Sequence, residues 1–157
     1  MKFIADSMLG RLARWLRLLG CDTLYYPDIG DRRIIEIARE EDRVLLTRDT
    51  RLVRMRGVRD FLLLHENDPF EQLRRVITTY NLNPFEMRKG GFETRPYSRC
   101  SLCNTLLHDV AKEHAKPHVP EYVYQTSEMF KQCPTCGKFY WKGTHPEKLR
   151  KKLMEIL

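Results

Sequence analysis

Four of the five cysteines in this 157-residue chain stand in two Cys-x-x-Cys pairs. A two-residue gap lets both sulfurs of a pair reach one tetrahedral ion, and the tight turn aims backbone N–H groups at sulfur. The next residue in each case, Asn104 or Gly137, tolerates the left-handed conformation that such a turn often needs. We therefore predict one structural zinc site that is closed to substrate. Its ligands would be Cys100, Cys103, Cys133 and Cys136.

A redox role is the main competitor for any single Cys-x-x-Cys. Two matched pairs with turn residues are better explained by one metal. Cys21 stands alone, and we expect it to be a small buried hydrophobic residue. Since four thiolates complete the shell, we expect the nearby histidines to be solvent-exposed or capping residues. These are His108, His114, His118 and His145.

Aspartates follow three apolar segments that are predicted to be strands. Asp6 ends the first and Asp49 ends the third, while Asp28 and Asp31 lie in the turn after the second. Ligands of a parallel sheet bind outside the carboxyl ends of its strands. These carboxylates would hold one or two Mg²⁺ or Mn²⁺ ions, which could activate water for phosphoryl transfer. Simpler roles stay open: Asp6 and Asp31 as helix caps, and Asp49 as a turn residue.

The elements that must position these acids alternate between strand and helix. Such an order implies an α/β fold with a mostly parallel sheet. Asp68, Pro69 and Glu71 supply the cap, the first-turn proline and the capping-box acid of the third helix. The predicted strands are 2–5, 23–26, 44–47 and 61–64, and the predicted helices are 8–19, 32–41 and 69–80.

A change of composition divides the chain into two units. Asn-Pro and Gly-Gly between residues 81 and 96 indicate a linker. The predicted units are 1–88, a linker at 89–96 and a zinc-ribbon-like unit at 97–157, which ends in a basic amphipathic helix opened by 144–147. Residues 104–132 must form a loop or hairpin between the two cysteine pairs. The strand 139–141 is predicted to lie at least partly in the core, although an aromatic-basic surface that stacks on bases stays open.

The net charge of +7 suits a polyanionic partner such as RNA. Of the 17 basic residues among the first 90, 15 are arginine, which binds phosphate bidentately and stacks on bases. Arg11, Arg14 and Arg17 are predicted to lie on the flank of the apolar stripe of the first helix. An ion-paired, thermally stable surface explains the composition equally well.

The chain has no apolar run of the roughly 20 residues that a membrane helix needs. Asp6 interrupts the apolar start where a signal peptide would continue. We therefore expect a cytoplasmic protein without a membrane partner.

Several runs together resemble the Mut-seven C-terminal RNase domain family. They are DSMLGRLARWLRLLG at 6–20, LLTRD at 45–49, RCSLCN at 99–104, CPTCG at 133–137 and YWKGTH at 140–145. The resemblance implies a compact, three-layer PIN-like nuclease domain fused to a zinc ribbon, in which acids at strand ends bind divalent metal and cut RNA. Asp6 and Asp49 match two of those acids, and Asp31 matches the acid that opens the second helix. Related short PIN-like sequences often carry a further acid where this chain has Arg51, so we expect either a site that holds one ion or a weak activity. Arg48 and Arg51 could instead contact the scissile or a flanking phosphate.

Two functions from different classes follow. The first is a metal-dependent ribonuclease with Asp6, Asp31 and Asp49 as catalytic acids. Its RNA-binding residues would be Arg11, Arg14, Arg48 and Arg51. The second is a non-catalytic RNA- or ribonucleoprotein-binding protein that uses its zinc unit. A third and weaker possibility is a partner-regulated enzyme whose zinc unit docks a protein.

Overall fold

The computed structural model describes residues 1–82, 96–141, 151, 152 and 155. Its first unit contains one four-stranded sheet in the order β2-β1-β3-β4, and every neighbouring pair is parallel. The strands are β1 (Lys2–Ala5), β2 (Asp22–Tyr25), β3 (Val44–Thr47) and β4 (Phe61–Leu63). The chain passes from β1 to β2 on one side and then crosses to β3 on the other. The sheet therefore has its switch point between β1 and β3, where α/β sheets bind ligands.

Helices cover both faces of this sheet, which gives three layers. The helices are α1 (Gly10–Leu18), α2 (Asp31–Glu40) and α3 (Pro69–Thr79). Side chains of α1 and α3 form one core with Phe3 and Leu46, and isoleucines of α2 form the other with Ile4 and Leu45. Successive residues of β1 and β3 thus enter opposite cores, because side chains alternate along a strand.

The predicted α/β class and parallel sheet are confirmed, and the boundaries differ by a few residues. The largest difference is at the first helix, where Ser7–Leu9 form a 3₁₀ turn before α1. Asp68 caps α3 as predicted, since its carboxylate accepts from the backbone N–H groups of Phe70 and Glu71. No helix in the described part of the chain is long and apolar enough to cross a membrane.

The second unit is built on a three-stranded antiparallel sheet in the order β5-β6-β7. Its strands are β5 (His108–Val110), β6 (Phe130–Gln132) and β7 (Phe139–Trp141), with the short helices α4 (Lys112–Ala115) and α5 (Glu121–Thr126) between β5 and β6. The segment between the cysteine pairs therefore forms β5 and β6, which pair with each other, and the short helices that connect them. The predicted linker 89–96, apart from Pro96, lies outside the described residues, as do 142–150 of the predicted terminal helix; Lys151, Lys152 and Glu155 are helical.

The second unit is fastened to the edge strand β2 of the first by buried polar contacts. The Asn104 side chain accepts from Thr23 N–H at 3.0 Å and donates to Asp22 Oδ1 at 2.8 Å. The buried guanidinium of Arg17 donates to the carbonyls of Leu102, at 2.6 Å, and Ser101, at 3.3 Å. The first cysteine pair thus lies against β2 and α1, and its loop covers polar groups of an otherwise open sheet edge.

Candidate active site and metal centre

Asp6 lies at the carboxyl end of the central strand β1 and is almost fully buried. One carboxylate oxygen, Oδ1, accepts from Ser7 N–H at 2.6 Å and from the Ser7 hydroxyl at 3.2 Å, which caps the 3₁₀ turn. The other oxygen, Oδ2, accepts from the Thr47 hydroxyl at 2.8 Å. Each carboxylate oxygen can accept about two hydrogen bonds, so capping leaves Oδ2 able to bind a further ligand.

Thr47 links the two acids that end neighbouring strands. Its hydroxyl donates to Asp6 and accepts from the backbone N–H of Asp49 at 3.0 Å. The residue is fully buried at the end of β3. Sequence reasoning did not single out Thr47. Its position two residues before the strand-end aspartate was the available signal, since threonine commonly bonds the backbone two residues on.

The Asp49 carboxylate is only partly exposed and is held by its own turn. Oδ1 accepts from the Arg51 backbone N–H at 2.7 Å, and the Arg51 guanidinium lies 3.6 Å from Oδ2. This backbone N–H, aided by the neighbouring N–H of Leu52 and the Arg51 charge, lowers the pKa of Asp49 below its usual value. Arg51 thus lies beside Asp49 as a counter-charge.

The other two acids lie after β2 and are exposed. Asp31 is the first residue of α2, and Gly30 rather than Asp31 takes the N-cap position. In the described part of the chain, the cysteines are the only group of three or more acids, histidines or cysteines whose ligand atoms lie within 4.8 Å of one another. The structure therefore links Asp6 with Asp49 and does not gather the acids into a compact cluster.

This donor set suits a hydrated divalent cation. Mg²⁺ prefers hard oxygen ligands and is usually held by one or two protein carboxylates, with waters in its remaining positions. Two carboxylates at adjoining strand ends match that pattern. The described carboxylates do not form a tight all-protein cage of their own.

Three of the four predicted RNA-binding arginines line one groove beside this edge. The groove has a volume of about 540 Å³ and lies between the start of α1 and the start of α3. Arg11, Arg14 and Arg48 line it, whereas Arg51 does not. Tyr25 and Asn67 also line the groove and were not predicted from the sequence.

The four paired cysteines form the second site. Their sulfurs all lie within 4.8 Å of one another, and the separations Cys100–Cys103, Cys103–Cys133 and Cys100–Cys136 are 3.3, 3.3 and 3.6 Å. A disulfide would place two sulfurs about 2.05 Å apart. Tetrahedral zinc with Zn–S bonds of about 2.3 Å separates its sulfurs by about 3.8 Å. The cluster therefore fits one metal ion and no disulfide.

Both cysteine turns have the same backbone hydrogen bonds. Cys100 N–H donates to Thr105 C=O at 2.8 Å and Cys133 N–H donates to Lys138 C=O at 2.9 Å. In each turn the fifth residue donates back to the first cysteine, from Asn104 at 3.0 Å and Gly137 at 2.9 Å. Asn104 has φ of 68° and Gly137 has φ of 73°. The predicted left-handed positions are confirmed, and they give both turns one shape.

The thiols of Cys100 and Cys103 differ in pKa, and the difference bears on whether the cluster requires a bound cation. Burial opposes ionisation of Cys100, but the Tyr140 hydroxyl and the N–H groups of Cys103 and Leu102 outweigh it and lower its pKa to about 6. Burial, with the hydrogen bonds to Cys100 and Cys133, raises the pKa of Cys103 to about 12. Four thiolates this close repel one another, so a bound cation is required for all four to ionise.

Tyr140 connects the cluster to the ribbon sheet. Its hydroxyl lies 3.1 Å from the Cys100 sulfur and accepts from Ser101 N–H at 3.1 Å. Phe139 and Trp141, on the other face of β7, pack against the ribbon core around Phe130. The predicted alternation of this strand is confirmed. All three aromatic side chains are half-buried and make contacts within the ribbon.

The histidines described in the structure lie outside the metal cluster, as expected. His114 and His118 are exposed and pack on Phe139, with the His118 ring stacked at 4.9 Å. Cys21 is buried in the core of the first unit, as predicted. Burial raises its pKa to about 12.

Comparison with known proteins places the chain in one family. The model of the Mut7-C RNAse domain matches residues 1–153, which is nearly the whole chain. No curated protein and no solved structure matches it. The family match spans both the strand-end acids and the cysteine cluster.

Proposed function

The chain belongs to the Mut7-C RNAse domain family, and we propose that it is a metal-dependent ribonuclease that hydrolyses RNA phosphodiester bonds. The observation that carries this proposal is the Asp6–Thr47–Asp49 link at the switch point of the parallel sheet. It lies where α/β sheets bind ligands, beside a groove lined with arginines.

Asp6 and Asp49 would hold Mg²⁺ or Mn²⁺, with Asp31 as the third catalytic acid and Asp28 as a possible helper. When bound, such an ion lowers the pKa of a coordinated water and stabilises the charge that develops on the phosphate. Thr47 fixes the Asp6 carboxylate and the Asp49 backbone relative to each other. Because hydrogen bonds hold both acids, little reorganisation is required during catalysis.

The arginines would bind the RNA backbone. Arg11 and Arg14 are exposed three residues apart on α1, so they lie on neighbouring positions of one helix face. Arg48 lines the groove and immediately precedes Asp49 in the sequence. Arg51 is 91% exposed in its side chain and is free to exchange its screened contact with Asp49 for a phosphate.

The remaining assignments are part of the same proposal. We take 1–88 as a PIN-like catalytic domain, 89–96 as a linker and 97–157 as a zinc-ribbon-like domain with structural Zn²⁺. The protein would act in the cytoplasm. Its ribbon would be free to contact a ribonucleoprotein or protein partner, since its second cysteine turn, 134–138, is exposed.

The test is cleavage of labelled RNA by the purified, Mn²⁺-loaded chain. We expect Asp6→Asn and Asp49→Asn each to reduce the rate by at least roughly 100-fold, because loss of one preorganised charge in an active site has effects of that size. Asp109→Asn, an exposed strand acid of the ribbon, is the matched control. Equal cleavage by all four proteins would show that the nuclease is a contaminant.

A second candidate is an RNA-binding protein without catalysis. It is favoured by the absence of a compact acid cluster among the described residues. It predicts salt-sensitive RNA binding that is unchanged in Asp6→Asn, with no turnover in Mg²⁺ or Mn²⁺. Turnover that depends on Asp6 would exclude it.

A further inference from the structure

The groove next to the strand-end acids has an unusual charge composition. Its lining contains three arginines and no carboxylate. One wall is the start of α1, the other is the segment from Asn67 to Gln72, and the volume of about 540 Å³ is within the range of small-ligand sites. Three cations around one groove repel one another unless an anion is present.

Among these three arginines, Arg48 is the one described with a buried guanidinium nitrogen that lacks a hydrogen-bond partner. Its Nη2 donates to Asn67 Oδ1, which fixes the direction of the guanidinium. Its Nε is buried with no hydrogen-bond acceptor among the described residues, and no described carboxylate lies within ion-pair distance. By contrast, the buried Arg43 pairs with both Asp22 and Glu41 at 2.7 Å. A partly buried guanidinium with one neutral partner is expected to attract an anion.

Tyr25 gives the groove an aromatic wall. Its hydroxyl donates to the Ser7 carbonyl at 3.0 Å, and its ring lies against Gly10. A Cβ at Gly10 would come within 2.8 Å of the ring, so the absence of a side chain there permits this placement. A half-buried tyrosine that is fixed at both its hydroxyl and its ring can stack on a planar group without losing much conformational entropy.

We propose that this groove binds an unpaired segment of RNA, with a phosphate on Arg48 and a base against Tyr25. Arg11 and Arg14 contact the adjoining phosphates. The assignment rests on the proposed function in taking RNA as the ligand, and it adds that the substrate is single-stranded. Stacking on a protein ring requires a base that is free of its own stack, which duplex RNA does not offer.

The experiment measures binding in the full-length, zinc-loaded Asp6→Asn protein, so that cleavage does not consume the probe. Fluorescence anisotropy compares a labelled single strand of about ten nucleotides, within the size that such grooves bind, with a blunt duplex of the same sequence. We expect the single strand to bind more tightly. Tyr25→Ala should weaken it by roughly 5- to 150-fold, which corresponds to the loss of one stacked base.

Arg48→Ala should weaken binding of the single strand and reduce the slope of log K against log salt by about 0.7, as expected for one lost phosphate contact. Arg39→Ala is the matched control, because Arg39 is exposed on α2 and outside the groove. Tyr25→Phe keeps the ring and should retain most of the affinity. Circular dichroism and zinc content must match those of the parent for each variant.

Two outcomes would overturn the assignment. One is duplex binding as tight as single-strand binding. The other is equal affinity of the Tyr25→Ala, Arg48→Ala and Arg39→Ala proteins, which includes the case of no RNA binding at all. The two proposals fail separately. Selective binding of the single strand without Asp6-dependent turnover would support the groove assignment and contradict the ribonuclease proposal. Asp6-dependent turnover that is insensitive to Tyr25 and Arg48 would support the ribonuclease proposal and contradict the groove assignment.

Discussion

The cysteine cluster and the strand-end acids are two candidate metal sites of opposite design. The cluster brings four sulfurs within 4.8 Å of one another, and each half is shaped by a turn of a few residues with its own backbone hydrogen bonds. The acids come from the ends of separate strands and are linked through one threonine hydroxyl. Each half of the cysteine site is specified by a local turn, although the two halves meet only across about 30 residues, whereas the strand-end site has no locally specified half and exists only once the sheet has formed.

The difference extends to protein stability. The first cysteine turn also supplies contacts that cover the β2 edge, so metal binding there supports the interface between the two units. The acids, in contrast, lie at the carboxyl ends of strands, which is where parallel sheets bind ligands. We therefore expect perturbation of the cysteines to affect folding, and perturbation of the acids to affect mainly chemistry.

The largest expected effect comes from Cys100→Ser. It removes one thiolate of the cluster, and the apparent binding free energy of structural zinc is about 10–16 kcal/mol at pH 7 in zinc-finger peptides. We expect zinc content to fall from one ion per chain to nearly none and the ribbon to lose cooperative unfolding. Metal analysis and circular dichroism measure both. Cys21→Ala, which removes a cysteine from the core of the first unit, should keep its zinc; loss of zinc from both variants would contradict this assignment.

A substitution at the strand ends tests the threonine link. Thr47→Val preserves the shape of the side chain and leaves Asp6 Oδ2 and Asp49 N–H without their described partner. We expect the free energy of unfolding to fall by about 1–3 kcal/mol, the usual cost of leaving a buried polar group unsatisfied. Urea denaturation measures the change. Thr47→Ser keeps the hydroxyl and should retain most of the free energy of unfolding. A Thr47→Val protein of unchanged stability would show that these two hydrogen bonds do not contribute to it.

The two left-handed turn residues offer a matched pair of substitutions. Asn104→Gly keeps the backbone conformation but removes the contacts with Thr23 and Asp22, and we expect about 1–3 kcal/mol of destabilisation. Gly137→Asn adds a Cβ that would meet nothing within 4 Å, and we expect at most about 1 kcal/mol of destabilisation, because asparagine tolerates the left-handed conformation at this position, although less well than glycine. Denaturation of the zinc-loaded proteins compares them. Equal effects would mean that the side chain of Asn104 does not fasten the units.

The smallest expected effect concerns the charge beside Asp49. The pKa of Asp49 is lowered first by the Arg51 backbone N–H, which Arg51→Ala retains, and also by the Arg51 charge, which it removes. We expect the pKa to rise in the variant and to stay below its ordinary value. Carboxyl NMR titration measures it. A pKa that does not move, or that falls, would contradict the contact.

The sign of the related pH dependence follows from linkage. The folded-state pKa of Asp49 lies below its unfolded value of about 3.9, so its stabilising contribution is present above that value. It is lost as pH falls through the folded pKa. Because the carboxylate is solvated, the contribution is small and screened by salt.

Much of the fold could be predicted from the sequence for a physical reason. The strands at 2–5 and 44–47 were placed correctly because both faces of each are buried, which gives continuous apolar runs. The start of α1 was misplaced because Met8 and Leu9 fit a helical period, yet the residues up to Leu9 form a 3₁₀ turn. Helical periodicity does not distinguish the two geometries over so few residues.

The four ligands of the cysteine centre could be predicted from the sequence alone. The two-residue spacing and the residues at 104 and 137 specify local turns, and local turns need no knowledge of the rest of the chain. Which acids become linked depends on the strand order, which places β3 beside β1 and so brings Thr47 to Asp6 across 41 positions of sequence. Thr47 in turn contacts the Asp49 backbone N–H. Asp31, by contrast, begins α2 after the edge strand β2. Residue spacing therefore specifies the shape of a local turn, whereas the pairing of strands decides which strand-end residues become neighbours.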